Sequence, residues 1–167
     1  MARTAEDILK EAILLETRGK AFYKTVAEKC DSPAAKKIFE MMAEEEDEHI
    51  KFLSKQFINY TKKHSFIKPD VPVEDPEETV ILKVFTEKVK KEINAASFEA
   101  AAISSAIDFE MNAVKLYASR AKEATDPNEK ELYRILAAWE GEHSKLLHEI
   151  NDELKEEIWN DNNFWPF

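Results

Sequence analysis

The 167-residue chain carries 34 acidic and 24 basic side chains, a formal charge of −10, with only 2 Gly and a single Cys. That balance excludes recognition of nucleic acid or an anionic membrane, both of which need a Lys/Arg surplus on one face, and one Cys excludes a disulfide framework or a Cys-ligated zinc or iron–sulfur site. Two Gly, against a usual share of about 7%, exclude a turn-rich β architecture and leave an almost wholly helical chain, read as one domain over residues 1–167.

Helix starts are written plainly along the chain. Thr4, with Asp7 three positions on, opens a helix predicted over about 4–30. Ser32-Pro33 opens a second over about 33–63, the Pro costing nothing at a first helical position whose N–H has no partner anyway. Residues 65–75, SFIKPDVPVED, hold two prolines between apolar residues and read as extended linker. Asp75-Pro76-Glu77-Glu78 begins a shorter helix ending near Glu92, a further long helix is predicted over about 95–124, and Asp126-Pro127-Asn128-Glu129 begins the last, over about 127–158. A second helix of roughly 45 Å cannot be retraced by a turn of a few residues, but about thirty residues of linker and short helix can travel back along it. The expected fold class is all-α: a four-helix bundle of two antiparallel helical hairpins, with a long crossover containing an extra short helix. No stretch nears the ~18 apolar residues of a membrane span and the first ten residues hold no apolar signal core, so a cytoplasmic protein is expected, with Cys30 as a buried or half-buried filler.

The two hairpins read as copies of one unit. Residues 8–53 laid on 102–147, a constant offset of 94, match Ala12 with Ala106, Ile13 with Ile107, Glu16 with Glu110, Tyr23 with Tyr117 and Pro33 with Pro127. The match continues through Ala43 and Ala137, Glu46 and Glu140, Glu48 and Glu142, His49 and His143, and Leu53 and Leu147. Surface charges drift freely between repeats, yet most of these acids lie inside apolar stripes: Leu9, Ala12, Glu16, Tyr23; Phe39, Met42, Glu46, His49, Leu53; Ile103, Ala106, Glu110, Tyr117; Tyr133, Leu136, Glu140, His143, Leu147.

Each long helix thus turns one Glu toward the core, and two add a His one turn on. Four unpaired buried carboxylates are prohibitively costly, and no Lys or Arg repeats at interior positions to balance them. Two divalent cations do balance them. A lone Glu from each of two helices and Glu-x-x-His from each of the others is the set that brings six ligands to one level of a four-helix bundle. Glu-x-x-His alone says little in so acidic a chain, and the run EEEDEH at 44–49 by itself reads as a solvated acidic face. Its recurrence in phase, as Glu-x29-Glu-x2-His twice, singles out Glu16, Glu46, His49, Glu110, Glu140 and His143 as ligands of a dinuclear metal site.

Along the four long helices these residues resemble the ferritin-like superfamily and, within it, the rubrerythrin branch, whose di-iron domain carries Glu, Glu-x-x-His, Glu and Glu-x-x-His on successive helices, with a Tyr two turns after each lone Glu. The resemblance implies two bound iron ions, reaction with hydrogen peroxide or dioxygen in oxidative-stress protection or iron handling, and a homodimer or larger homo-oligomer. By carry-over, Glu46 and Glu140 bridge the metals, and Glu16 and Glu110 are terminal ligands. Full-length rubrerythrins append a rubredoxin-type site with two Cys-x-x-Cys pairs. This chain has Cys30 alone, so an external electron donor, protein or small reductant, is expected. The further Glu that rubrerythrins carry one turn past the third helix's ligand is Ala113 here, with Gly19 as its repeat mate, leaving a symmetric set of six more like that of bacterioferritin.

Ligand type does not separate iron from manganese, and with manganese the natural reaction is peroxide disproportionation. An oxidoreductase is the leading expectation; a ferroxidase subunit of a hollow iron-storage assembly and a non-catalytic metal-binding helical bundle are the alternatives. Tyr23 and Tyr117 either orient a ligand carboxylate on a neighbouring helix or are ordinary core tyrosines. As ligands His49 and His143 must be neutral, each with a partner at its other ring nitrogen. Mid-helix Gly19 and Gly141 provide room for ligand movement or oxidant access, or else close helix packing. His64 and His148 are expected at solvent or a helix end, Met41 and Met42 in the core, and Trp139 as packing beside Glu140. The C-terminal Phe164, Trp165 and Phe167 are expected to pack on the bundle or on a partner subunit.

Overall fold

The structure, a computed structural model, describes residues 4–71 and 76–161; the Asp75 cap and the aromatic Phe164, Trp165 and Phe167 lie outside the described residues. Thr4 caps α1 (Ala5–Lys29) with a reciprocal pair: its Oγ1 accepts from Asp7 N at 3.1 Å, and Asp7 Oδ2 accepts from Thr4 N at 3.1 Å. Ser32 caps α2 (Pro33–Lys63), which ends on His64 in the left-handed conformation, φ 52°, the helix-end place expected of that histidine. There follow α3 (Pro76–Glu92), α4 (Phe98–Glu123) and α5 (Pro127–Asp161), and no strand occurs among the described residues.

Two boundaries differ from the sequence reading. α4 begins at Phe98 rather than near 95, because Asn94 forms a turn: its Oδ1 accepts from Ala96 N at 2.8 Å and its carbonyl from Ser97 N at 2.8 Å, after which Ser97 Oγ caps α4 by accepting from Ala100 N at 3.2 Å. α5 runs three residues past the expected 158.

α1 and α2 form one hairpin, α4 and α5 the other; α1 also meets α4, and α3 lies against α2 and α5. The crossover is fastened where it leaves α2. Buried Gln56 donates from Nε2 to Ile67 O at 2.8 Å and accepts from Ile67 N at 3.1 Å, Phe66 is buried beside it, and Asn128 Nδ2 donates to Phe66 O at 3.1 Å. The result is the all-α, ferritin-like bundle expected from the sequence. No described helix is long and apolar enough to cross a membrane.

The core has two apolar halves. One gathers Tyr23, Ile38, Phe39, Met42, Ile103 and Leu147; the other gathers Leu9, Leu53, Tyr117, Leu132, Tyr133 and Leu136. Along every long helix the chain passes from one half to the other through the charged positions 16, 46–49, 110 and 140–143, so these form a layer between the halves. Met41 is half-buried, as is Cys30 at the end of α1, where burial and then the Glu99 charge push the thiol up to about 11.

Candidate metal centre

The layer takes Glu16 from α1, Glu46 and His49 from α2, Glu110 from α4, and Glu140 and His143 from α5. The four Glu are at most 1% exposed, His49 5% and His143 7%. A spacing of three places each Glu and its His on one helix face, and the antiparallel hairpins bring Glu16 opposite Glu46 and Glu110 opposite Glu140. Two groups result, Glu16 with Glu46, His49 and Glu140, and Glu110 with Glu46, Glu140 and His143. In each, one ligand atom per residue lies within 4.8 Å of all the others, and Glu46 and Glu140 are common to both. His49 Nδ1 stands 2.9 Å from Glu140, 3.1 Å from Glu16 and 3.7 Å from Glu46. His143 Nδ1 stands 3.4 Å from Glu140, 3.6 Å from Glu110 and 3.8 Å from Glu46.

Contacts around the layer follow the repeat. Tyr23 Oη donates to Glu110 Oε1 and Tyr117 Oη to Glu16 Oε1, each crossing to the other hairpin. Burial, then the charge of the carboxylate each one meets, holds both phenols well above the usual range, so they stay donors. Tyr23 stacks on Phe39 with centroids 6.0 Å apart, and Tyr117 on the repeat mate Tyr133 at 6.1 Å. Gly19 is a close-packing position: a Cβ there would lie 2.9 Å from Phe109 Cε1 and 3.2 Å from Glu46 Cδ, whereas a Cβ at Gly141 would meet nothing within 4 Å. Ala113 is buried in the apolar half that holds Tyr117. His148 turns away from the layer, its Nδ1 2.8 Å from the carbonyl of Ser144.

Protons distribute unevenly over this cluster. Burial pushes Glu46 up to about 9, the neighbouring His49 imidazole opposing and Glu16 and Glu140 adding to it, and burial pushes Glu110 up to about 7 against the pull of His143. Burial also acts on Glu140, but His143 and His49 outweigh it and hold that carboxyl well below the usual range. For both imidazoles burial disfavours the charged form and loses to the carboxylates, Glu140 and Glu16 at His49 and Glu110 and Glu140 at His143, so both pKa values lie well above the ordinary 6.5.

The donor set fits a pair of divalent cations. Of seven buried side-chain oxygens and nitrogens without a hydrogen-bond partner among the described residues, six belong here: both oxygens of Glu46, both of Glu140, Glu110 Oε2 and His143 Nδ1. Folded proteins leave few such atoms, and these converge at one level from three helices. Carboxylate oxygen with imidazole nitrogen, and no thiolate, is a set that suits divalent iron or manganese.

Two contacts were not anticipated from the sequence. Glu45 Oε2 lies 2.5 Å from His143 Nε2, and Trp139 stacks on His49 with centroids 4.9 Å apart. Glu45 gave no signal of its own within an acidic run, and its repeat mate is the unlike Trp139.

The family model for rubrerythrin matches residues 7–104. The match takes in Glu16, Glu46 and His49 and stops before Glu110, Glu140 and His143, whose membership of the layer rests on the repeat and the geometry. Neither the comparison with curated proteins nor that with solved structures returned a match. A match over more than half of the chain, on the hairpin that supplies half of the buried layer, makes this protein a member of the rubrerythrin family.

Proposed function

We propose that the protein is a non-haem dimetal carboxylate oxidoreductase, holding two iron or manganese ions and reacting with hydrogen peroxide or dioxygen. The observation that carries this reading is the convergence of four buried carboxylates and two imidazoles with six orphaned polar atoms among them. Glu46 and Glu140, common to both groups, together with Glu16 and His49 on one side and Glu110 and His143 on the other, would hold the two ions. When bound, such ions supply the electrons that reduce an O–O bond.

The chain's own residues set the stage for that chemistry. Tyr23 occupies Glu110 Oε1 and leaves Oε2 for the cluster, and Tyr117 occupies Glu16 Oε1 and leaves Oε2 facing His49. The apolar halves on either side keep water from the layer, so charges within it interact strongly. His143 holds a proton on Nε2 against Glu45 and presents Nδ1 inward. Cys30, at the far end of α1 and kept as a thiol, is no nucleophile here. Reducing equivalents come from a donor outside these residues.

Anaerobic loading with Fe(II), followed by stopped-flow mixing with peroxide and with O2 in parallel, tests the reading. Bound Fe(II) is expected to oxidise faster than free Fe(II) with at least one oxidant, and Glu46→Ala and Glu140→Ala are expected to lose both metal and acceleration. Rates equal to free Fe(II) with both oxidants would contradict it.

A further inference from the structure

The layer is built from a repeat, and the repeat breaks at a position beside each histidine. The residue preceding each Glu-x-x-His is Glu45 in α2 and, 94 positions on, Trp139 in α5. Each reaches the histidine of the opposite hairpin. Glu45 Oε2 meets His143 Nε2 at 2.5 Å, whereas Trp139 lies flat on His49, centroids 4.9 Å apart and the planes 7° from parallel. The ion pairs of His49 all run through Nδ1 into the cluster. His143 therefore has carboxylates at both ring nitrogens, whereas the carboxylates around His49 gather at Nδ1 and the indole of Trp139 lies over the plane of its ring. The crossed Tyr–Glu bonds and the aromatic stack beneath each Tyr, by contrast, are common to both halves.

Resting on the dimetal reading, we infer that the two metal positions are inequivalent and that Glu45 and Trp139 make them so: the position of Glu110 and His143 takes the first ion, that of Glu16 and His49 the second. A carboxylate accepting the Nε2 proton fixes the tautomer with its lone pair on Nδ1 and makes that nitrogen a stronger donor, an effect worth about 10–100-fold in metal affinity. A stacked indole fixes the ring plane and gives no such push. Glu45 is a positioning residue: it acts on the ion through His143, and its side chain is 46% exposed, so changing it leaves the core intact.

Crystals of the full chain grown with one equivalent of Co(II), read by anomalous scattering at the cobalt edge, report the occupancy of each position. The His143 position is expected to hold about threefold more cobalt or better, the ratio that a tenfold affinity difference gives when one ion is shared between two independent positions. Glu45→Gln keeps every ligand, removes the charge at His143 Nε2 and is expected to bring the ratio toward one. Equal occupancy in the native chain, or a ratio that Glu45→Gln leaves unchanged, overturns the inference while the dimetal site stands. Cobalt at neither position, even at saturation, contradicts the dimetal site and the inference with it.

Discussion

Tyr133 stands where its repeat mate is Phe39, and the difference is a hydroxyl that is buried and finds no partner among the described residues. Burial pushes this phenol well up, and the ring already stacks on Tyr117 as Phe39 stacks on Tyr23. Tyr133→Phe is expected to leave stability unchanged or raise it by roughly 1 kcal/mol, since an unsatisfied hydroxyl disappears and the packing stays; chemical unfolding measures it. Tyr117→Phe is the opposite case. It frees Glu16 from the bond that orients it, and metal affinity is expected to fall about tenfold or more, read by competition with a chelator. The two glycines separate likewise. Gly141→Ala meets open space and is expected to add about 1 kcal/mol of helix stability, whereas Gly19→Ala presses on Phe109 and the Glu46 carboxyl and is expected to weaken metal binding. At this scale the repeat made the buried Glu, His and Tyr legible, because like residues recur in phase. Glu45 was illegible for the converse reason: its mate is Trp139, and within EEEDEH every acid looks alike.

The helices were legible through their caps, Thr4 with Asp7 and Ser32-Pro33, which act within three residues of themselves. What fastens the hairpins together acts over long sequence separations and was not. Glu99 in the first turn of α4 is 5% exposed, and its Oε1 accepts from Asp31 N at 2.7 Å and Ser32 N at 3.1 Å, closing the turn before α2. Glu92 at the end of α3 joins in, accepting from Ser32 Oγ at 2.7 Å. Burial would raise Glu99, but the backbone donors outweigh it and hold its carboxyl below the usual range. Nothing 94 positions away resembles this knot, so the repeat did not reveal it, and the helix expected from about 95 begins instead at Phe98, after the Asn94 turn. Glu99→Ala orphans two backbone N–H groups and is expected to cost about 1–3 kcal/mol, with Glu99→Gln recovering most of it because an acceptor oxygen remains; thermal and denaturant unfolding distinguish the two.

For the molecule as a whole, the surplus of ten negative charges is in part an interior property. Without a cation the layer holds protons that the unfolded chain releases: Glu46 to about 9 and Glu110 to about 7, against an ordinary 4.5, and His49 and His143 above their ordinary 6.5. A group that binds its proton more tightly when folded contributes stability that is complete below its unfolded pKa and lost as pH rises through its folded one. Glu140, held low, acts in the other sense, but only below its ordinary 4.5. The melting temperature of the metal-free protein is therefore expected to fall as pH rises from about 5 to about 9, the window those shifts define. Divalent ions, which require the same groups deprotonated, are expected to restore it at the alkaline end. Binding at pH 7 should release on the order of three to four protons, from His49, His143, Glu46 and in part Glu110. Anaerobic calorimetric titration with Fe(II) in buffers of different ionisation enthalpy reads ion count and proton count together. Two ions per chain with net proton release, both abolished by Glu140→Ala, is the expected result; fewer than two ions, or binding that Glu140→Ala leaves intact, would contradict a dimetal centre in this layer.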